Sequence, residues 1–236
     1  KAEVMICKMF KEIESNILNY KGGYAPSSEN WDFRDISNLE AVKAGKKNKS
    51  KNPEVTLERA IIQARGDSKQ KFKDTWTYQM PVASSLLGNG VDQSSNIDLV
   101  RKHPDGVFDL IELKVKGNNP IYAAVEILRY GLAYAASRQL AQQIGYDTNE
   151  LEIFRAKQIR LCILAPKEFY EPPKTLPYNF SWLEKGLNNA LLQFSRKHGY
   201  KMSFKFCLLD FDWKATDCPD EKTLDDINEA LKNIRP

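Results

Sequence analysis

An acidic hairpin is the part of this sequence whose residue types could do chemistry. Asp98 stands in one run of strand-forming residues, and Glu112 and Lys114 stand in the next. Residues two apart on a strand project to the same side, so Glu112 and Lys114 share a face of the sheet. Their surroundings are apolar, and a buried carboxylate or ammonium is costly unless a partner or an ion compensates it. The segment therefore predicts a chemical site or a compensated ion pair.

The turn between the two strands brings two carboxylates together. If the hairpin folds symmetrically about Asp105, Asp98 lies across from Glu112 with the Cβ atoms about 5 Å apart. Carboxylates at that separation repel unless a cation joins them, and Mg²⁺ is commonly held by one or two carboxylates plus waters. Lys114 could then orient or help to deprotonate an attacking water. The pattern predicts a Mg²⁺ site, with Mn²⁺ as a possible substitute.

Two other aspartates of the hairpin are excluded as ligands by the same geometry. Asp105 stands in the turn, seven residues from Glu112, which is about 23 Å along an extended strand. Asp109 is on the strand of Glu112 but three positions away, so it points to the opposite face. Neither aspartate is expected to share an ion with Glu112.

At these residues the sequence resembles the PD-(D/E)XK nuclease superfamily, in which an Asp on one strand and a Glu-x-Lys on the next form the metal site. The match is Asp98 with Glu112-Leu113-Lys114, together with the order of elements from about Asn52 to Ala165. The resemblance implies an α/β, restriction-endonuclease-like fold, a mixed β-sheet flanked by helices on both faces. It also implies Mg²⁺-dependent hydrolysis of DNA phosphodiester bonds, with Asp98 and Glu112 as metal ligands and Lys114 as the catalytic amine.

The resemblance adds candidates on two helices. The superfamily often supplies a further Glu from its first helix, and here Glu58 is favoured over Glu54 as a catalytic residue and metal ligand. Alternatively, Glu54 occupies the acid-favouring first turn of that helix, and Glu58 pairs with solvent or a lysine. Glu126 and Tyr130 resemble the Gln-x-x-x-Tyr element of recombination-type members, with Glu replacing Gln. Tyr130 is equally well explained as a packing aromatic.

The wider pattern predicts an N-terminal helix and basic linker over residues 1–50, then one nuclease-like α/β domain over 51–236. Antiparallel hairpins followed by strands separated by helices predict a mixed sheet. The proline-rich segment Pro166–Pro177 is expected to be a loop. Strands are predicted over Trp76–Val82, Asn96–Arg101, Val107–Val115, Ile159–Ala165 and Met202–Phe211, and helices over Val4–Leu18, Asn52–Gly66, Pro120–Ile144, Ser181–His198 and Leu224–Ile234.

Charge is unevenly distributed along the chain. The net charge of +4 is too mild by itself to indicate a nucleic-acid binder. Residues Ala41–Lys73, however, include ten basic and only three acidic residues, whereas Leu208–Glu229 is strongly acidic. The basic stretch is expected to contact a nucleic-acid backbone. Its lysine-rich part, Lys46–Lys51, is also compatible with a solvated loop.

Several classes of site are poorly supported. The four cysteines lack metal-ligand spacing and suit reduced thiols in a cytoplasmic protein. There is no GxxxxGK[ST] loop, no HExxH and no run long enough to span a membrane. The two histidines, His103 and His198, receive no role.

Two alternatives to a nuclease remain open. One is a non-catalytic module that binds nucleic acid or protein while keeping a nuclease-like fold. The other is an α/β domain in which Glu112 and Lys114 form only a buried ion pair. If the chain cuts DNA on both strands, a homodimer is expected, because two-fold sites match two-fold proteins.

Overall fold

A five-stranded mixed sheet organises this α/β chain. The computed structural model describes residues 2–18, 29–34, 52–66, 74–82, 95–115, 119–170, 179–214, 219–232 and 234. The strands, which neighbour one another in chain order, are β1 (Thr75–Pro81), β2 (Asn96–Lys102), β3 (Val107–Leu113), β4 (Gln158–Ala165) and β5 (Met202–Leu208). β1, β2 and β3 are antiparallel, whereas β4 and β5 run parallel to β3. The parallel neighbours are those that helices separate in sequence, since a parallel pairing needs a long crossover.

Helices cover both faces of the sheet, as predicted. They are α1 (Ala2–Leu18), α2 (Pro53–Gly66), α3 (Pro120–Gln139), α4 (Ala141–Ile144), α5 (Lys167–Tyr170), α6 (Ser181–His198) and α7 (Glu221–Lys232). α1, α3 and α6 share a core with Phe108 and Leu110 of β3, and this side is called the α3 face. α2 and α7 share the opposite core with Ile111 and Leu113, and this side is called the α2 face. The period of two along β3 thus divides its side chains between two cores.

Local geometry moves some element boundaries away from their predicted positions. The helix predicted over Pro120–Ile144 is interrupted at Leu140, whose φ of −104° and ψ of 14° leave the helical region. Pro166–Pro177, predicted to be a loop, contains the single-turn helix α5, and β5 ends before the predicted Phe211. α7 begins earlier than predicted because the Asp220 carboxylate accepts a hydrogen bond from the backbone N–H of Thr223 at 2.8 Å.

The N-terminal helix α1 packs against α3 and α6 and buries its apolar stripe in the core of the α3 face. The predicted domain division near residue 50 stays a prediction. The Gly22-Gly23 break, the lysine-rich stretch Gly45–Lys51 and the Gly88–Gly90 turn lie outside the described residues. In the part of the chain that is described, no helix is long and apolar enough to cross a membrane.

A glycine lets α3 lie close to β4. A Cβ at Gly131 would sit 2.7 and 2.8 Å from the two Cδ atoms of the buried Leu161, and 2.9 Å from Met202 Cε. Real Cβ atoms do not approach carbon so closely without something moving, because protein interiors are close-packed. The small residue therefore sets how near α3 comes to the sheet, and with it the position of the side chains that α3 presents there.

Two glycine-to-alanine variants test this close approach. Gly186→Ala on α6 should raise the free energy of unfolding by about 0.5–1 kcal/mol, since alanine favours helix and its methyl group meets nothing within 4 Å. Gly131→Ala should be less stable than Gly186→Ala by about 1–3 kcal/mol, the usual cost of overpacking. Urea denaturation measures both values. Equal stability of the two variants would contradict the tight α3–β4 contact.

Candidate functional site

The register of the β2–β3 hairpin ends beside Asp98 and Glu112. Leu99 pairs with Ile111 and Val100 with Leu110, and the two acids are the next residues along each strand. The symmetric turn predicted about Asp105 is therefore confirmed. Glu112 lies two residues beyond Leu110 and so faces α3, on the α3 face.

The Asp98 carboxylate acts as the hydrogen-bond acceptor for a backbone N–H of β3. Its Oδ2 accepts a hydrogen bond from the backbone N–H of Leu113 at 2.8 Å. The next N–H, that of Lys114, points the other way and donates to the Leu164 carbonyl of β4 at 3.0 Å. Burial raises the pKa of Asp98, although the Leu113 hydrogen bond and the Lys114 charge oppose this shift. Asp98 is thus fixed between β2 and β3, at the point where their backbone ladder stops.

Glu58 of α2 reaches this region through Gln79 of β1. Gln79 lies between Tyr78 and Met80, which pair with Leu99 and Ile97 on either side of Asp98. The Gln79 φ of 47° is a left-handed backbone conformation that residues other than glycine rarely adopt. Gln79 Nε2 donates to Glu58 Oε2 at 2.6 Å. Burial raises the pKa of Glu58 to about 7, and the Asp98 charge adds to the shift, while the Gln79 hydrogen bond opposes it. Glu58 therefore lies beside the hairpin acids with its carboxylate already bound.

Lys114 lies between two carboxylates. Its Nζ is 2.5 Å from Glu112 Oε1 and 3.4 Å from Glu126 Oε2 of α3, and the Lys114 and Glu112 side chains are only 8% and 4% exposed. Burial lowers the pKa of Lys114, but the charges of Glu112 and Glu126 outweigh it and raise the pKa above its ordinary value. Lys114 is therefore an ammonium ion, oriented by one acid from the sheet and one from the helix.

Glu112 has an oxygen left over. Its Oε2 is buried and has no hydrogen-bond partner among the described residues. An unsatisfied buried acceptor is costly and calls for an explanation, such as an unfilled ligand position. Burial and the Asp98 charge raise the pKa of Glu112, although Lys114 opposes the shift. One carboxylate oxygen is thus available to a further cation.

Other charges converge on the same place. Burial raises the pKa of Tyr130 on α3, and the charges of Glu112, Glu126 and Asp98 raise it further. The Glu54 charge, from the first turn of α2, likewise raises the pKa of Asp98. Acidic side chains from both sheet and helices therefore surround one amine, a surplus of negative charge that favours a bound cation.

A metal ion here would have few protein ligands. Within the described ranges, no group of three or more His, Cys, Asp or Glu side chains is arranged to hold a metal. Asp98 and Glu112 make a pair of carboxylates, which suits an ion that keeps most of its waters, as Mg²⁺ does. Glu58 as a third ligand stays a prediction, because its described partner is Gln79.

The excluded aspartates lie away from this site. Asp105 is exposed in the turn and accepts a hydrogen bond from the Val107 N–H at 3.3 Å. Asp109 lies on the α2 face, with its Oδ2 2.7 Å from His103 Nε2 and its Oδ1 2.5 Å from Arg160 Nε. The sequence alone did not predict this network, because Arg160 is 51 residues from Asp109 in the chain although its strand, β4, pairs with β3.

The predicted basic surface is wrong at one position. Arg65 is buried with only 3% of its side chain exposed, and its Nη2 lies 2.5 Å from Asp74 Oδ1, so it belongs to an interior ion pair and not to a basic surface. Arg59, on the same helix, is exposed. The predicted lysines Lys43, Lys46, Lys47, Lys49, Lys51, Lys69, Lys71 and Lys73 lie outside the described residues.

No family model, curated protein or solved structure matches the chain. The resemblance to PD-(D/E)XK nucleases therefore depends on the hairpin residues and on the order of elements. Asp98, Glu112 and Lys114 form the candidate site on the hairpin, and Glu126 joins them from α3.

Proposed function

We propose that this chain is a Mg²⁺-dependent nuclease of the PD-(D/E)XK type that hydrolyses DNA phosphodiester bonds. One observation carries the proposal: the Glu112 carboxylate contacts the Lys114 ammonium, lies close enough to Asp98 of the adjoining strand for the two charges to act on each other, and keeps one oxygen without a partner among the described residues. A purely structural ion pair explains neither that oxygen nor the second acid beside it.

The residues fit a hard divalent cation. Asp98 and Glu112 offer only carboxylate oxygens, which Mg²⁺ and Mn²⁺ prefer to nitrogen or sulfur donors. When bound, such an ion lowers the pKa of a coordinated water and neutralises charge on the phosphate. The Leu113 N–H holds the Asp98 carboxylate in position, and Lys114 holds one oxygen of Glu112.

Lys114 acts as a charged donor in this proposal. Because its pKa lies above its ordinary value, it keeps its proton at neutral pH and cannot serve as a general base. Its N–H groups instead orient water and stabilise negative charge on the scissile phosphate. Glu126 is a positioning residue, since its carboxylate lies beside the amine on the side of α3.

The direct test is cleavage of supercoiled plasmid and linear DNA by the purified protein with Mg²⁺ or Mn²⁺. Products should appear with either ion and disappear when EDTA is added, because the two carboxylates alone do not activate water. Salt-sensitive DNA binding without any cleavage would overturn the proposal in favour of a non-catalytic binding module.

Stability should depend on the divalent cation, and more strongly at higher pH. In the folded, metal-free protein, burial and repulsion from neighbouring carboxylates hold the pKa values of Asp98 and Glu112 above those of an unfolded chain. Their protonated forms therefore stabilise the fold at low pH, and this contribution is lost as pH rises through those values. A bound cation compensates the deprotonated acids, so the rise in Tm on adding MgCl₂ should be larger at pH 9 than at pH 6.

Thermal unfolding followed by circular dichroism measures this difference. Glu112→Gln provides the control, because it removes the charge while keeping the shape, and it should abolish most of the Mg²⁺-dependent shift. An equal shift at both pH values, or an undiminished shift in Glu112→Gln, would show that the cation binds elsewhere.

A further inference from the structure

The first turn of α3 presents an exposed aromatic ring. Tyr122 is 68% exposed, and its neighbour Ile121 is 44% exposed. The other tyrosines of the helix are buried, Tyr130 at 9% and Tyr134 at 0% exposure. Isolated exposed apolar residues are common on protein surfaces, so exposure by itself explains nothing here. The exposed Tyr122 ring is of interest because of its position on α3 relative to the candidate site.

Tyr122 stands on the same stripe of α3 as the residues that face the site. Tyr122, Glu126 and Tyr130 are spaced four apart, so their side chains follow one another along one side of the helix. Each such step advances about 6 Å along the axis. Glu126 Oε2 is 3.4 Å from Lys114 Nζ. Tyr122 therefore lies one helical turn before Glu126, the residue that contacts Lys114, and its ring is exposed to solvent.

In the proposed nuclease, a strand that approaches the site along α3 would pass this exposed ring. Exposed aromatic rings at nucleic-acid sites stack on bases, and this contact tolerates any base because every base has a π-face. In an intact duplex, neighbouring bases cover those faces, so only an unpaired or extruded base can stack on a side chain. The ring thus favours one structural class of substrate.

We propose that Tyr122 stacks on an unpaired base next to the scissile phosphate, which makes single-stranded DNA the preferred substrate. This inference rests on the proposed nuclease function and specifies its substrate class. Tyr122 is a specificity residue here, because it contacts substrate without taking part in bond cleavage.

The test compares cleavage of a single-stranded oligonucleotide with cleavage of the blunt duplex of the same sequence. Wild type should cut the single strand with the higher kcat/KM. Tyr122→Ala should raise KM for the single strand about tenfold, within the range of base–aromatic stacking, and leave the duplex unaffected. Tyr122→Phe should behave as wild type, because it keeps the ring.

A second exposed aromatic provides the matched control. Trp182 is 65% exposed on α6, which packs on β5, at the opposite edge of the sheet from β1. Trp182→Ala should change neither substrate. Equal cleavage of both substrates by wild type, or an unchanged preference in Tyr122→Ala, would overturn the stacking inference while leaving the nuclease intact.

A binding measurement separates this inference from the proposed activity. A single strand carrying the fluorescent base 2-aminopurine should be quenched on binding to the cleavage-deficient Glu112→Gln protein, and Tyr122→Ala in that background should abolish the quenching. If wild type cleaves neither substrate, the nuclease proposal fails. Quenching that depends on Tyr122 would still support stacking, and quenching that survives Tyr122→Ala would overturn it.

Discussion

Glu112→Gln and Lys114→Met are each expected to lower kcat for Mg²⁺-dependent DNA cleavage by at least about a hundredfold. Glutamine removes the negative charge of Glu112 while keeping its length, and methionine removes the ammonium of Lys114 while keeping its apolar stem. Single-turnover cleavage of a labelled oligonucleotide measures the effect. Undiminished cleavage by both variants would end the proposed mechanism.

A carboxylate on the same hairpin serves as the control. Asp105 lies exposed in the turn, at the opposite end of the strands from Glu112, and its described hydrogen bond is local. Asp105→Asn removes one negative charge from the protein, as Glu112→Gln does, and should cleave at the wild-type rate. A comparable loss in Asp105→Asn would mean that the activity responds to overall charge and not to the site.

The stability of Glu112→Gln separates a metal site from a buried ion pair. If Glu112 served only as the partner of Lys114, its loss would leave a buried charge and cost about 3–5 kcal/mol. In the proposed site, glutamine still offers Lys114 an oxygen and relieves repulsion with Asp98, which helps to raise the pKa of Glu112. The metal-free variant should therefore be at least as stable as wild type in urea denaturation.

Asp74→Asn is expected to lower the free energy of unfolding by about 3–5 kcal/mol, the largest loss predicted here. It leaves the two buried guanidinium groups of Arg65 and Arg101 without a negatively charged partner. Asp74 Oδ1 lies 2.5 Å from Arg65 Nη2 and Oδ2 lies 2.6 Å from Arg101 Nε, and all three side chains are at most 14% exposed. Both guanidinium groups also lie 5.5 Å from the ring centre of Trp76. One carboxylate therefore joins α2 to β1 and β2.

An exposed Asp–Arg pair provides the comparison. Asp32 Oδ2 lies 2.9 Å from Arg34 Nε, with 43% and 53% of the side chains exposed, so Asp32→Asn should cost less than about 1 kcal/mol. Burial raises the pKa of Asp74, but Arg101 and Arg65 hold it below its ordinary value. The stabilisation is therefore present above the ordinary carboxyl pKa and is lost as pH falls. Equal losses in the two variants would refute the buried cluster.

The sequence by itself determined the hairpin and what it carries. A short turn and a side-chain period of two set the register, and this placed Asp98 beside Glu112 and turned Asp109 to the other face. Helical spacing similarly predicted α2 and α6, whose bounds the structure reproduces closely. These features depend on contacts between residues that are near in the chain, where local geometry leaves few choices.

Only the tertiary structure decided which distant side chains meet the hairpin. Glu126 of α3 contacts Lys114, and Gly131 lets the same helix lie close to the sheet. Glu58 of α2 accepts a hydrogen bond from Gln79, whose backbone is left-handed. Arg65, one of the expected phosphate contacts, is instead buried against Asp74. Such contacts depend on how the helices pack on the sheet. The whole core determines that packing, and the spacing of residues along the chain does not specify it.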